Sequence, residues 1–329
     1  MVRESRAIAE AAAARQAVIE ADAGAAEKAE MLMEVAMGMQ QKPKSSDDLI
    51  EAISLYQEGI DLCPPEEALL KARIHSRMAT AQMIAPSEDT TLLEAARASM
   101  ETALETLCEQ GASAEIAEAE MNYGLILQNL ASANRARIQD CISAYQRALR
   151  TFDAKKYPAE FAILQNNLAT AFLSIPFTDE RSKMREALAV QAFEEGLKVV
   201  TLVDHPSEYA MLQNNLGNAL QYASSSHRVE NGFRALEAYD EAMRVRTVSD
   251  TPLEYANTIS NKANCLANLP DDLTAPEAGN PKNLNAAISL YKEALGLFQK
   301  FGELQKVEAV SAAILDLENE LPSAQGALN

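Results

Sequence analysis

Turn-forming residues are scarce in this sequence, which has 12 glycines and 12 prolines among 329 residues and no tryptophan. A β-sandwich or barrel reverses its chain about every 10 residues and needs more of both. Hydrophobic residues make up 48% of the chain, enough to bury a large core. The composition therefore favours an all-α protein.

Cysteine and histidine are also rare, because the chain has only four cysteines and three histidines. Cys63, Cys108, Cys141 and Cys265 stand far apart without a CxxC pair, and no histidine lies three to five residues from another. This pattern supports neither a zinc site nor a disulfide framework. We therefore expect no metal, no cofactor, and reduced thiols in the cytoplasm.

Long apolar runs are missing, because no window approaches 18 consecutive apolar residues. Residues 1–23 mix alanines with charged side chains, which predicts an amphipathic N-terminal helix rather than a signal peptide. The chain carries 29 basic and 48 acidic residues, a net charge of −19. Such a surface repels nucleic acid and anionic lipid. We expect neutral or basic proteins or peptides as partners, and neither nucleic acid nor membrane.

Two sequence elements recur along the chain. The segment that begins at Pro158 and runs through Asn166-Asn167-Leu168 returns at Pro206, and a weaker copy begins at Pro252. The second element is a large residue followed three positions later by Ala or Gly and then by an aliphatic residue. Its six copies are 44 to 52 residues apart and begin at Tyr56, Met100, Tyr145, Phe193, Tyr239 and Tyr291.

Both elements have the period of a helix, and their spacing predicts how the helices connect. Tyr239, Ala242 and Met243 share one stripe at steps of three and one. The large residue precedes an asparagine by a constant 22 positions, which indicates an unvarying short turn. The four such pairs are Met100 with Asn122, Tyr145 with Asn167, Phe193 with Asn215, and Tyr239 with Asn261.

Length variation must then fall in the other connection, in segments such as Ala223–Arg234 and Asn268–Asn283, whose Ser, Gly, Pro, Asp and Asn are typical of loops. The start of the repeated helix is signalled by Thr251-Pro252-Leu253-Glu254. That run predicts a capping hydroxyl, a proline in the first position and a glutamate in the first turn.

These residues resemble tetratricopeptide repeats, which carry a Leu-Gly-x-x-Tyr-like run on helix A and Ala-x3-Phe on helix B. The first run is matched by Leu216-Gly217-x-x-Leu220 and Tyr123-Gly124-x-x-Leu127, and the second by Ala235-x3-Tyr239, Ala52-x3-Tyr56 and Ala189-x3-Phe193. The likeness covers residues 26 to 321, although the units exceed the standard length of about 34 residues. Such long units are similar to repeats found beside caspase-like peptidase modules. The resemblance implies a right-handed superhelical solenoid of six helix hairpins with capping helices at both ends.

This organisation divides the chain into an N-terminal helix (1–23), a repeat domain (24–321) and a flexible tail (322–329). The predicted repeats are 26–63, 65–108, 113–152, 158–200, 206–247 and 252–300, followed by a capping helix at 302–321.

No enzymatic motif is present: the chain has no GxSxG elbow, no phosphate-binding glycine loop and no HExxH helix. We therefore expect a non-enzymatic protein, a scaffold or adaptor that binds a partner in the concave groove. Two alternatives remain open, a structural protein that self-associates and an assembly or regulatory factor for an enzyme complex.

The candidate site is a row of asparagines at one equivalent position of successive A helices. The resemblance implies that A helices line the groove, where amides could hydrogen-bond the backbone of an extended peptide. The alternative is that these amides tie adjacent helices together. The candidate binding residues are Asn122, Asn167, Asn215 and Asn261 in the row, Asn166, Asn214, Asn218 and Asn264 beside it, and Tyr222 at the end of its helix.

The tyrosines of the second element are predicted to pack in the core rather than to bind a ligand. A carboxylate clamp of the kind that grips chaperone tails is not expected, because Lys262 and Arg77 stand alone at the matching helix A positions.

Overall fold

A computed structural model describes residues 6–175, 181–223, 227–272, 274 and 279–326, with side chains as far as Leu321. The chain forms two compact units, residues 1–153 and 154–329. The described residues form fourteen α-helices and no strand.

The helices pair in chain order, and the first and second members of each pair are called the A and B helices below. The first unit contains α1 and the pairs α2–α3, α4–α5 and α6–α7, and the second contains the pairs α8–α9, α10–α11 and α12–α13 followed by α14. The predicted all-α architecture of helix hairpins is confirmed, whereas the handedness stays a prediction. The bounds are α1 Arg6–Glu20, α2 Ala25–Gln41, α3 Ser46–Leu62, α4 Ala68–Ile84, α5 Thr91–Gln110, α6 Ser113–Ser132, α7 Ile138–Ala148, α8 Pro158–Leu173, α9 Ser182–Leu197, α10 Pro206–Tyr222, α11 Arg228–Met243, α12 Pro252–Ala267, α13 Pro281–Phe301 and α14 Leu304–Gly326.

Both ends of the chain are helical where they are described. Helix α14 runs into the predicted tail, of which residues 327–329 lie outside the described part. None of the helices in the described ranges is long and apolar enough to span a bilayer.

Helix α1 is held on α3 by ion pairs as well as by its small apolar face. Arg6 Nη2 lies 2.8 Å from Oδ1 and 3.1 Å from Oδ2 of Asp48, a residue that is 1% exposed. Burial opposes ionisation of Asp48, but the N–H groups of Lys44 and Ser45 and the Arg6 guanidinium outweigh it and hold the pKa of this carboxyl below its usual value. A buried carboxylate thus anchors the N-terminal helix.

The connections within the second unit follow the predicted pattern. Helices α9 and α11 both end nine residues before the next A helix begins, whereas the A-to-B connections differ in length. Helices α8, α10 and α12 begin at Pro158, Pro206 and Pro252, as predicted. The predicted cap is wrong in one respect, because the Thr251 hydroxyl does not cap α12 but accepts the N–H of Thr247 at 3.1 Å.

One predicted loop is partly helical. Helix α11 begins at Arg228, so the second half of Ala223–Arg234 forms its first turns rather than a connection. Gly232 suggested a loop, but it lies inside helix α11, and a Cβ at this position would come within 2.6 Å of Leu269 Cδ2. This glycine allows close helix packing and does not mark a turn.

The B-helix tyrosines are core residues, as predicted. Tyr56, Tyr145 and Tyr239 are fully buried and Tyr291 is 6% exposed. In two hairpins the ring lies directly on an A-helix glycine. A Cβ on Gly217 would come within 2.6 Å of Tyr239 Cε1, and Gly124 meets Tyr145 in the same way.

Replacing Gly217 by Ala should therefore destabilise the protein by about 1–3 kcal/mol, because the new methyl group overlaps the buried ring. The matched control is Gly296→Ala on α13, where nothing lies within 4 Å of the added Cβ. That substitution should stabilise by about 0.5–1 kcal/mol through helix propensity. Urea unfolding followed by circular dichroism measures both, and equal effects of the two substitutions would contradict the tyrosine–glycine contact.

Asp48 predicts an acid-sensitive contribution to stability. Its folded pKa is lowered, so the stabilisation is complete above the unfolded pKa of about 4 and is lost as pH falls through the folded value. Asp48→Asn should be less stable than wild type at pH 7, and the difference should shrink as pH falls below about 4. Unfolding curves of both proteins across this range provide the measurement, and a difference that does not change with pH would refute the role of the carboxylate.

Candidate functional site

A strip of uncharged polar side chains follows the A helices of the second unit. Helices α8, α10 and α12 contact one another in order. On each, residues three or four positions apart share one face, and those on this face are half-buried or exposed. We call this surface the amide strip; its members, on the helices and their C-caps, are Asn167, Thr170, Ser174, Asn215, Asn218, Tyr222, Asn257, Asn261, Asn264 and Asn268.

Five asparagines form one hydrogen-bonded chain beneath and along this strip, which we call the asparagine ladder. Asn261 Nδ2 donates to Asn214 Oδ1 at 3.2 Å, and Asn214 Nδ2 donates to Asn215 Oδ1 at 3.0 Å. Asn215 Nδ2 donates to Asn166 Oδ1 at 2.7 Å, and Asn166 Nδ2 donates to Asn167 Oδ1 at 3.2 Å. All four bonds run in one direction, from α12 through α10 to α8.

The ladder separates the predicted site residues into two groups. Asn166 and Asn214 are each only 7% exposed, and the ladder satisfies polar groups that would otherwise be costly to bury. Asn167, Asn215 and Asn261 are half-buried and keep a surface on the strip. The bonds from Asn215 to Asn166 and from Asn261 to Asn214 join neighbouring A helices, which is the helix-tying alternative that the sequence left open.

Asn218 and Asn264 belong to a second polar network, which joins the strip to the buried B-helix tyrosine. The Tyr239 hydroxyl donates to Asn218 Oδ1 at 2.7 Å and lies 2.9 Å from Gln221 Oε1. Gln221 Nε2 in turn donates to Asn264 Oδ1 at 2.6 Å. Burial raises the pKa of Tyr239 well above its usual value, so the hydroxyl keeps the proton that it donates.

The same pairing recurs in the first unit and was missed by sequence reasoning. Tyr56 donates to Gln40 Oε1 at 2.7 Å, and Tyr145 donates to Gln128 Oε1 at 2.8 Å. Its signal in the sequence is a glutamine 16 to 18 residues before the tyrosine. Each pair gives a buried hydroxyl its acceptor on the partner A helix.

The two remaining predicted residues lie in different settings. Tyr222, at the end of α10, is 68% exposed and presents the aromatic side chain of the strip. Asn122 lies on α6 in the first unit, where it is half-buried and takes no part in the ladder.

The cations that a carboxylate clamp would use are already paired. Lys262 makes an ion pair with Asp240, and Arg77 Nη1 lies 3.4 Å from Glu118 Oε1. Among the residues that the structure describes, no group of three His, Cys, Asp or Glu side chains could hold a metal ion. Burial raises the pKa of the Cys265 thiol to about 11, which leaves it protonated and unreactive at neutral pH.

No protein-family model matches the chain, and no curated protein matches it in sequence. Among solved structures it is similar to BtubC (BKLC) from P. vanneervenii, with 19% identity, a TM-score of 0.48 and coverage of 74% of this chain and 92% of that one. A Rap protein complexed with competence and sporulation factor has 12% identity and a TM-score of 0.42, with 98% and 90% coverage. The TPR2AB domain of yeast Sti1, in its pHSP90 complex, has 15% identity and a TM-score of 0.27, with 87% and 99% coverage. At these levels the similarities do not extend to function.

The ladder predicts energetic coupling between Asn214 and Asn261. Either substitution to Ala should destabilise the protein by about 1–3 kcal/mol, because a buried amide loses its partner. The double variant should cost less than the sum, with a coupling energy of about 0.5–2 kcal/mol. Urea unfolding of wild type, the two single variants and the double variant measures this coupling energy. In a control cycle, Asn319→Ala on α14 takes the place of Asn261→Ala. Additive effects in both cycles would show that the ladder bond contributes nothing.

Proposed function

We propose that the protein is a non-enzymatic protein-interaction module that binds an extended polypeptide segment along the amide strip of its second unit. The observation that carries this proposal is the repetition of a half-buried asparagine, Asn167, Asn215 and Asn261, at one equivalent position of three A helices that contact one another in order. The carboxylates Glu208 and Glu254, which share this face, lie in the first turns of their helices, before the strip begins.

The chemistry of the strip suits a peptide backbone. A primary amide offers two donors and one acceptor group, which matches the N–H and C=O groups that an extended segment presents. Because such bonds engage the main chain, they depend little on the sequence of the ligand. Any preference for particular ligand side chains then comes from Tyr222, the aromatic residue of the strip, which is 68% exposed.

The ladder supports the proposal by fixing the side chains that would meet the ligand. Asn215 and Asn261 are each held by a bond to a buried amide on the neighbouring A helix. Their rotamers are therefore ordered before binding, which lowers the entropy lost on association.

Charge favours neutral or basic partners. The excess of 48 acidic over 29 basic residues repels acidic segments at a distance and raises the encounter rate with basic ones. Lys262 is the one basic residue on α8, α10 and α12 and pairs with Asp240, so the strip lacks the group of cations that would grip a terminal carboxylate. The ligand that fits is an internal or neutral stretch of a partner protein.

A photo-cross-linking amino acid in place of Tyr222 should capture the partner in cells of the source organism. The matched control places the same amino acid at Val203, which is 83% exposed in the turn before α10 and thus near the opposite end of that helix. Mass spectrometry of the adducts should find a segment of another protein, neutral or basic, joined at position 222 and not at position 203.

Two further results separate the alternatives. Asn257→Leu should reduce the yield at position 222 several-fold, whereas Asn319→Leu on α14 should leave it unchanged. Adducts to a second copy of the chain, with a mass by light scattering that rises with concentration, would replace the proposal by self-association. Equal yields at 222 and 203 would overturn binding on the strip.

A further inference from the structure

Three arginines line one cleft in the first unit, whereas the amide strip belongs to the second. The cleft has a volume of about 480 Å³ and lies between α5, α6 and the turn from α6 to α7. Arg97 comes from α5, whereas Arg135 and Arg137 come from the turn nearly 40 positions later. The remaining lining residues are Glu101, Tyr123, Leu127, Asn134, Ala136 and Asp140.

The turn that carries two of these arginines is held to the end of α6 by backbone hydrogen bonds. Asn134 adopts the left-handed conformation with φ of 57°, and its N–H donates to Ala131 O at 3.0 Å. The next N–H, from Arg135, reaches back to Leu130 O at 2.8 Å. These two bonds close the end of α6 in the Schellman arrangement, so the backbone of Arg135 is fixed relative to the helix.

Neighbouring carboxylates hold the guanidinium groups in place without using all their donors. Glu94 lies 2.8 Å from Arg97 Nη2 and 3.1 Å from Arg135 Nε, and Asp140 binds Arg137 through Nε and Nη2 at 2.9 and 2.7 Å. A guanidinium has five N–H donors, more than any of these contacts uses. The arginines are thus oriented by their partners and can still donate to a ligand.

Two side chains give the cleft an apolar part. The ring of Tyr123 and the side chain of Leu127 line it, and the Tyr123 hydroxyl donates to Glu101 Oε1 at 2.7 Å. This bond turns the hydroxyl toward a carboxylate and leaves the ring as a wall. A ligand that fits the cleft therefore combines an anionic group with a flat or aliphatic portion.

We propose that this cleft binds a phosphate monoester. The three terminal oxygens of that group can each accept from one guanidinium, and planar N–H pairs are well suited to phosphate oxygens. Glu94, Glu101 and Asp140 balance the charge of the three guanidinium groups, so the proposal rests on their oriented and unused N–H donors rather than on a net positive charge. The phosphate is carried either by a small organic molecule or by a modified side chain of a partner protein.

Calorimetric titration of the full chain with phenyl phosphate tests the proposal, because this probe joins a phosphate to a flat ring. We expect saturable binding that weakens about tenfold or more in both Arg97→Gln and Arg135→Gln, since each removes charged hydrogen-bond donors. The matched control is Arg244→Gln, because Arg244 is 56% exposed and makes an ion pair with Glu241 at 2.7 Å outside the cleft. That variant should bind as wild type does.

One more probe identifies the source of the phosphate. A phosphoserine peptide that binds more tightly than phenyl phosphate would indicate a modified partner protein, and tighter binding of phenyl phosphate would indicate a small molecule. The proposal is overturned if no probe gives saturable binding at about 10 mM. It is equally overturned if both cleft variants, with wild-type circular dichroism spectra, bind phenyl phosphate as tightly as Arg244→Gln does.

Discussion

Close contact between a B-helix tyrosine and an A-helix glycine is the constraint on which the packing of two hairpins, α6–α7 and α10–α11, depends. Tyr145 on Gly124 and Tyr239 on Gly217 leave no room for a Cβ, so the helix axes approach more closely than larger side chains would allow. The same contact buries a hydroxyl, which must then find an acceptor on the A helix. Gln128 and Asn218 supply it, and the amide-rich character of the A helices therefore begins as a requirement of core packing.

Each unit ties its successive A helices with a different chemistry. In the first unit, Arg73 Nε on α4 lies 2.7 Å from Glu115 Oε1 on α6, and Arg77 pairs with Glu118 beside it. In the second unit the neutral ladder performs this role through Asn215 and its neighbours. Salt screens ion pairs between half-exposed side chains, whereas it has little effect on hydrogen bonds between neutral side-chain amides. The contacts between A helices are consequently more sensitive to salt in the first unit than in the second.

Local periodicity was sufficient to predict the helices and the burial of the tyrosines, because each of these depends on residues within about one helix turn of each other, and the constant spacing of the repeats predicted how the helices pair. It failed where a residue has two uses. Glycine is common both in loops and at close contacts between packed segments. Only the contact with Leu269 shows that Gly232 has the second use. The ladder and the arginine cleft join residues about 40 to 50 positions apart, such as Asn215 with Asn166 and Arg135 with Glu94. Such pairings depend on which helices become neighbours, and that information is not present in any one segment.

Helices α8 and α10 each carry two adjacent asparagines, so the ladder is built from one such pair in each repeat. Within each pair the first amide receives a bond from the following A helix and donates to the second, so a repeat with Asn-Asn at this position could be duplicated or removed without leaving an unmatched group in the interior. Helix α12 has Ser260 before Asn261, and this serine donates to its own helix at Ala256 O, so the relay ends there. The number of consecutive Asn-Asn repeats thus sets the length of the ladder, and gene duplication could lengthen the surface above it in whole-repeat steps.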